Sequence, residues 1–167
     1  MIVVSDSSPL IILARAKQLV LLREFYRQVV IPREVHNEVT VAGAGLPGAE
    51  EVRTASWIQV QPTPLAPSPA IKAACAGLGS GERSAIYLAA AVKAEMVLID
   101  EARARSAAKR SGLVVAGSIS ILERGARLKK IADLRSAYLS LLEQGIRFDP
   151  KLLDESLARL DLPKLEL

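Results

Sequence analysis

The chain contains one cysteine, Cys75, and one histidine, His36, among its 167 residues. A single cysteine excludes an internal disulfide and a metal cage built from thiolates. A single histidine leaves serine-type triads and histidine-based ribonuclease chemistry with one candidate base. Aromatic residues make up 4% of the chain, which argues against base stacking on an aromatic platform. We expect Cys75 in the core and His36 on a helix surface, so any chemistry must come from other side chains.

The sequence also lacks a long apolar run. The longest, residues 85–92, stops at Lys93 and is much shorter than the roughly 20 residues of a membrane-spanning helix. The N-terminal residues carry no basic region, long apolar stretch or cleavage site of a signal peptide. We therefore expect a cytoplasmic protein without a membrane partner. A formal net charge of +4 is compatible with a polyanionic partner.

What the chain does contain is a regular alternation of short apolar runs and helical patterns. The apolar runs predict strands at residues 2–4, 29–31, 57–61, 96–99 and 113–116, of which 57–61 is a half-exposed edge strand. The helical patterns predict that Ser8 is an N-cap with Pro9 at the first helical position. Further helices are predicted at 19–25, 32–39, 49–55, 70–76, 82–93, 102–110, 118–125, 131–143 and 150–160.

This alternation predicts an α/β fold of three layers (α/β/α), with a mainly parallel sheet of four to five strands and helices on both faces. The length suits one domain, residues 1–167. Residues 1–128 would hold the sheet, and residues 129–167 would add C-terminal helices. Their leucine-rich stripes would cover the sheet edge or serve a dimer interface.

Two aspartates follow predicted strands, Asp6 with one serine between and Asp100 directly. Asp6 comes after the first strand and Asp100 after the strand at 96–99. In α/β folds the chemistry gathers outside the carboxyl ends of the strands, and an unpaired carboxylate there is costly to bury. Each aspartate alone could simply cap the next helix, a role worth roughly 0.5–1 kcal/mol. Their occurrence at the same sheet edge favours a shared site.

Two glutamates complete the acidic set. Glu38 lies on the helix after the second strand, beside an apolar stripe formed by residues 35 and 39; the alternative is an ordinary solvated glutamate. Glu82 lies in the first turn of a helix that follows Gly79-Ser80-Gly81. There a negative charge is favourable toward the helix dipole without any catalytic role.

Four stretches, in this order and each on the expected element, resemble the PIN-domain family, most closely a branch related to the VapC toxins of toxin–antitoxin pairs. They are residues 5–11 (SDSSPLI), 31–39 (IPREVHNEV), 79–86 (GSGERSAI) and 97–103 (VLIDEAR). The resemblance extends from residue 2 to about residue 122. It implies a PIN fold and an endoribonuclease that uses Mg²⁺ or Mn²⁺. It also implies RNA as substrate, an antitoxin protein as a possible partner, and a homodimer.

Carried over position by position, the resemblance implies a catalytic set of four acids: Asp6, Glu38, Glu82 and Asp100. Asp6, Glu82 and Asp100 would hold the metal. Ser8 corresponds to a hydroxyl residue that supports the first aspartate in the family. Ser118, after Gly117 and the last strand, is a further polar candidate, with a plain N-cap role as the alternative.

The residue types suit this chemistry on their own account. Hard divalent cations prefer oxygen ligands, and Mg²⁺ usually contacts one or two carboxylates and keeps several waters. Converging carboxylates repel one another without a cation, and a bound cation lowers the pKa of a coordinated water. Whether one ion or two bind is left open. The chain departs from the toxin pattern in having Ala102 where those members commonly have an acid, and Glu82 where many have aspartate.

Basic side chains decorate the helix that follows Asp100, and they are candidates for contacts with the RNA backbone. They are Arg103, Arg105, Lys109 and Arg110. A solvated helix surface is the alternative for these four, and a solvated turn for a second basic stretch at residues 124–130.

Two functional hypotheses therefore stand. The first is a metal-dependent endoribonuclease, the toxin of a toxin–antitoxin pair. The second is a catalytically weak nucleic-acid-binding or regulatory protein that keeps the fold. A phospho-receiver domain shares the alternating pattern but would need a paired acid after the first strand and a lysine after the last. Ser5 and Ser118 occupy those regions.

Overall fold

The computed structural model describes all 167 residues and contains one sheet of five strands, all parallel. The strands are β1 (Ile2–Ser5), β2 (Gln28–Pro32), β3 (Ile58–Gln61), β4 (Met96–Leu98) and β5 (Val115–Ala116). Their order across the sheet is β3-β2-β1-β4-β5. The five predicted strands are thus confirmed, and β3 lies at an edge as expected.

Ten α-helices connect and cover the strands. They are α1 (Ser7–Arg15), α2 (Val20–Phe25), α3 (Arg33–Asn37), α4 (Ala49–Thr54), α5 (Pro69–Ala74), α6 (Ser80–Ala91), α7 (Ala102–Arg110), α8 (Ser118–Arg127), α9 (Leu134–Glu143) and α10 (Pro150–Ala158). None of them is both long and apolar enough to traverse a lipid bilayer.

Three of the helix boundaries that differ from the prediction have a clear local cause. The first helix begins at Ser7 after Asp6, whose backbone is extended (φ −77°, ψ 174°), so Ser8 is not the N-cap. Pro9 falls within the first turn, where a missing N–H costs nothing. Helix α9 starts at Leu134, because the Asp133 side chain accepts a hydrogen bond from the Ser136 amide (3.0 Å) and caps it.

The third difference concerns the segment after β2. The predicted helix at 32–39 is α3 followed by a π-helical turn, Glu38–Ala42. Such turns insert an extra residue into the helical ladder and are frequent at functional sites. Here the turn begins at Glu38.

The sheet separates two hydrophobic cores, because successive strand residues point to opposite faces. Val3, Val29 and Leu98 belong to the larger core, with α1, α2 and α8–α10. Val4, Val30 and Val97 belong to the smaller core, which α6 and α7 cover largely with alanine, and in which Cys75 is fully buried.

The strand order places a topological switch point between β1 and β4. From β1 the chain proceeds outward through β2 to β3, and then crosses back to β4 and β5 on the other side. Ligands in open α/β sheets bind outside the carboxyl ends of the strands at such a point. Asp6 directly follows β1, and Asp100 follows Ile99 at the end of β4.

Candidate active site

Asp6 is almost completely buried at the end of β1, with 4% of its surface exposed. Its backbone amide donates to the carbonyl oxygen of Leu98 (3.0 Å), which continues the β1–β4 ladder by one residue. Burial raises the pKa of Asp6 to about 7; the Ser7 amide lowers it, and the negative charges of three other acids raise it further. Those acids are Glu82, Glu38 and Asp100. The four carboxylates named from the sequence therefore interact electrostatically.

Asp100 has one oxygen fully engaged and one without a partner. Its Oδ1 accepts hydrogen bonds from the Ser118 amide (2.8 Å) and hydroxyl (2.9 Å). Its Oδ2 is buried and has no hydrogen-bond partner. Burial raises the pKa of Asp100, while the Ser118 hydrogen bonds and the Arg105 charge lower it. A buried lone oxygen of this kind is costly unless a ligand or cation meets it.

Glu38 is exposed at the rim of the site and is held by two contacts. The Ser7 hydroxyl donates to its Oε2 (2.5 Å). Its carboxylate also lies against Gly81, where a Cβ would come within 2.7 Å of Oε2 and closer still to Oε1. A residue with any side chain at position 81 would therefore displace the Glu38 carboxylate.

Glu82 closes the first turn of its helix and lies near enough to Asp6 to affect its pKa. Its Oε2 accepts a hydrogen bond from the Gly79 amide (3.1 Å), which closes the first turn of α6. Its charge is also the largest charge contribution to the raised pKa of Asp6.

The supporting hydroxyls are placed partly as expected. Ser118 is fully buried and supports Asp100, while Gly117 is the N-cap of α8. Gly117 is itself required there, because a Cβ would lie 2.7 Å from Oδ1 of Asp100. Ser8 makes no side-chain hydrogen bond to Asp6; it lines a pocket that also contains Asp100. The hydroxyl that touches a site carboxylate from this segment is Ser7, which the sequence analysis did not single out.

The four basic candidates on α7 divide into two kinds. Arg103, Lys109 and Arg110 have exposed side chains, and Arg110 donates to the Ala74 carbonyl oxygen (3.3 Å). Arg105 is half-buried, and its Nη1 donates to the carbonyl oxygen of Ile99 (2.8 Å), the residue before Asp100. Arg105 therefore braces the strand end, a role that its spacing on the helix did not reveal.

A pocket of about 600 Å³ opens beside Asp100. It lies between the start of α8 and the segment that joins α9 to α10. Its lining includes Ser8, Arg105, Gly117, Ser120 and Arg147. Asp100 is therefore reachable by a molecule larger than water.

The fit of these residues to a divalent cation rests on the two aspartates. No group of three or more histidine, cysteine, aspartate or glutamate side chains lies close enough together to hold a metal ion. Charge interactions extend further than metal–ligand bonds, so the mutual effect on the Asp6 pKa is compatible with this spacing. Mg²⁺ needs only one or two direct carboxylates. The buried Asp6 and the unpartnered Oδ2 of Asp100 supply that number.

Together, the parallel α/β/α architecture and the carboxylates at its switch point define a protein with an acidic, solvent-accessible site at the carboxyl edge of its sheet. A family model described as a PIN domain matches residues 2–162. The chain therefore belongs to the PIN-domain family, whose members are generally nucleases. No curated protein and no solved structure matches it. The predicted family and fold are confirmed, and the VapC-like branch stays a prediction.

Proposed function

We propose that this protein is a metal-dependent endoribonuclease that hydrolyses RNA phosphodiester bonds. One observation carries the proposal: a buried aspartate, Asp6, and a half-buried one, Asp100, follow neighbouring strands at the switch point, and Asp100 presents a buried oxygen without a partner. Both have pKa values raised by burial. Such a pair is poorly stabilised without a cation, which is typical of functional rather than structural carboxylates.

Asp6 and Asp100 would hold Mg²⁺ or Mn²⁺ directly, with Glu82 near enough to contribute charge or to hold a coordinated water. A divalent cation supplies two things when bound: a more acidic water and stabilisation of charge on the phosphate. Ser118 fixes one oxygen of Asp100 and leaves the other without a partner, so that this oxygen would meet the cation. Glu38, which Ser7 holds at the exposed rim, would accept a proton from a water that attacks in line with the leaving oxygen.

The test is cleavage of a fluorescent single-stranded RNA with Mg²⁺, with Mn²⁺ and with EDTA. The parent is compared with Asp6→Asn, Asp100→Asn and the matched control Asp161→Asn, which changes an exposed aspartate outside the site. We expect the parent to cleave RNA with Mg²⁺ or Mn²⁺ but not with EDTA. Both site variants should lose activity by about a hundredfold or more, and the control should cleave like the parent. If both site variants cleave like the parent, the acidic-site hypothesis is wrong.

A second candidate is an RNA-binding or regulatory protein with weak catalysis. The observation that favours it is that no three acidic side chains converge closely enough to hold a metal together. Ala102 also stands where toxin members commonly have another acid. This candidate predicts that the parent binds RNA, and that EDTA or Asp100→Asn changes neither its binding nor its negligible cleavage.

The toxin role, an antitoxin partner and a homodimer are also part of the proposal, and they rest on the resemblance to the VapC branch; a cytoplasmic location stays a prediction from the sequence. The apolar stripes of α9 and α10 offer less to a dimer than expected, because Tyr138, Leu141, Leu153 and Leu157 are buried inside the chain and only Leu152 is half-exposed. Light scattering at micromolar concentration tests the dimer, and a monomer would refute it. Growth arrest on induction, relieved by the product of an adjacent small reading frame, tests the toxin role.

A further inference from the structure

Six cationic residues lie in the last turns of α2 and α8 or directly after them, away from the acidic edge. Helix α8 runs from Ser118, at the site, to Arg127, about 15 Å away at 1.5 Å per residue. The C-terminal turn of α2 packs beside the end of α8: Lys130 forms an ion pair with Glu24, and the Arg124 guanidinium lies 4.3 Å from the Phe25 ring centroid. We call this surface the basic patch; its cations are Arg23, Arg27, Arg124, Arg127, Lys129 and Lys130.

The patch is strongly positive and exposed. All six cationic side chains are exposed, and of the six only Lys130 forms a salt bridge. Cations in a last helical turn are favoured by the helix dipole, which accounts for Arg23, Arg124 and Arg127. It does not account for Arg27, Lys129 and Lys130, which lie beyond the ends of α2 and α8.

Lys129 carries its charge at a backbone cost. It adopts a left-handed conformation (φ 58°) at the end of α8, a position that favours glycine. Glycine fills the equivalent place after α7 (Gly112, φ 79°) and after α9 (Gly145, φ 85°). Lysine stands at the same left-handed position after α1 (Lys17, φ 58°) and after α6 (Lys93, φ 53°), so glycine can replace Lys129 without loss of the turn and remove only its charge.

An exposed stripe on α8 joins the patch to the site. Ser120, Arg124 and Arg127 are all exposed, and their spacing places them on one face of the helix. Ser120 also lines the pocket that contains Asp100. A strand that leaves the acidic edge can therefore follow α8 to the basic patch.

We propose that the basic patch binds the phosphate backbone of a single-stranded RNA whose scissile bond lies at the acidic edge, along the exposed stripe of α8. This inference rests on the proposed function for the identity of its ligand. It assigns the sequence-independent affinity to the second basic stretch, rather than to α7 alone. Because phosphate contacts release counterions, the logarithm of the affinity falls linearly with the logarithm of the salt concentration, and the slope is proportional to the number of phosphate contacts.

The experiment compares two charge-removing double variants. The patch variant is Arg127→Gln with Lys129→Gly, which also suits the left-handed backbone at residue 129. The matched control is Lys72→Gln with Lys93→Gly; Lys93 is likewise left-handed (φ 53°) at the end of α6, on the opposite face of the sheet. Both remove two exposed cations and relax one backbone position. Thermal melting confirms that each is folded.

Binding of RNAs of about four and about twenty nucleotides is measured in EDTA across a range of salt concentrations. For the longer RNA, the patch variant should lower the salt-dependence slope by about 0.7 for each lost phosphate contact, so by about 1.4, whereas the control keeps the slope of the parent. Equal weakening by both variants, or none by the patch variant, overturns the proposal. An acidic protein as the true partner would appear as unchanged RNA binding.

Cleavage separates this inference from the proposed function. With metal present, the patch variant should have a higher KM for the longer RNA and the same kcat as the parent. Cleavage of the short RNA should have the same kinetic constants in the patch variant and the parent. If the parent does not cleave RNA but the patch variant still loses binding, the nuclease proposal fails and the patch stands. If Asp100→Asn abolishes cleavage while the patch variant behaves like the parent, the nuclease proposal stands and the patch proposal fails.

Discussion

Replacing Asp6 with asparagine should stabilise the protein at neutral pH in the absence of divalent cations. Burial raises the pKa of this carboxyl from 3.8 to about 7 in the folded chain. Between these pH values the folded chain binds more protons than the unfolded chain, so the free energy of unfolding falls as the pH rises from about 4 to about 7. At pH 8 the difference amounts to on the order of 4 kcal/mol. Asparagine keeps the shape and the acceptor for the Ser7 amide but carries no charge.

The assay is urea unfolding of the parent and Asp6→Asn in EDTA, from about pH 4 to about pH 8. The variant should differ from the parent by less than about 1 kcal/mol near pH 4, where Asp6 is protonated in the folded chain and partly protonated in the unfolded chain, and exceed it by up to about 4 kcal/mol at pH 8. Added Mg²⁺ should stabilise the parent and have little effect on the variant. The exposed change Asp161→Asn should shift stability little at any pH. A gain for Asp6→Asn that is the same at every pH would show that charge burial is not its cause.

Three further substitutions test contacts described above. Gly81→Ala should leave the melting temperature equal or higher, since alanine is favoured by up to about 1 kcal/mol in a helix, yet reduce RNA cleavage because its Cβ displaces the Glu38 carboxylate; unchanged kcat would contradict this contact. Ser118→Ala should weaken Mn²⁺ binding by roughly tenfold in a calorimetric titration, and equal affinity would argue against its orienting role. Tyr138→Phe should lower stability by about 1–3 kcal/mol because it leaves the buried Ser156 hydroxyl without its partner (2.6 Å), and adding Ser156→Ala should recover part of the loss; a further equal loss would refute this explanation.

The sequence was sufficient for the strands and for the edge at which the acids gather. Buried parallel strands are short apolar runs; residues 2–4 end one residue before Asp6, and residues 96–99 end directly before Asp100. Because strands alternate with helices, the sheet is parallel and the carboxyl ends of its strands lie at one edge, which can be predicted without knowledge of side-chain geometry. The family's motif order named the same four acids.

The contacts that orient those acids could not be read from the sequence. The hydroxyl that holds Glu38 is Ser7, one residue from the predicted Ser8, because the helix starts two residues earlier than the Ser-Pro signal suggests. The close approach of Gly81 to Glu38 joins elements more than 40 residues apart. Arg105 looks like any surface cation in a helical pattern, and only the packed strand end shows that it binds the Ile99 carbonyl. Each of these contacts depends on the positions of the packed elements to within a few tenths of an ångström.

Helix α7 packs closely on the sheet, because the side chains between them are mostly alanine. Ala104, Ala107 and Ala108 have no exposed surface, so this helix sits against the strands at nearly the shortest separation that side chains permit. An added methyl group there would push the helix outward, and Arg105 would travel with it. Activity would then be lost because a helix far from any reacting atom has moved. Random mutagenesis of α7 would yield inactive but folded proteins with substitutions at positions that do not contact RNA.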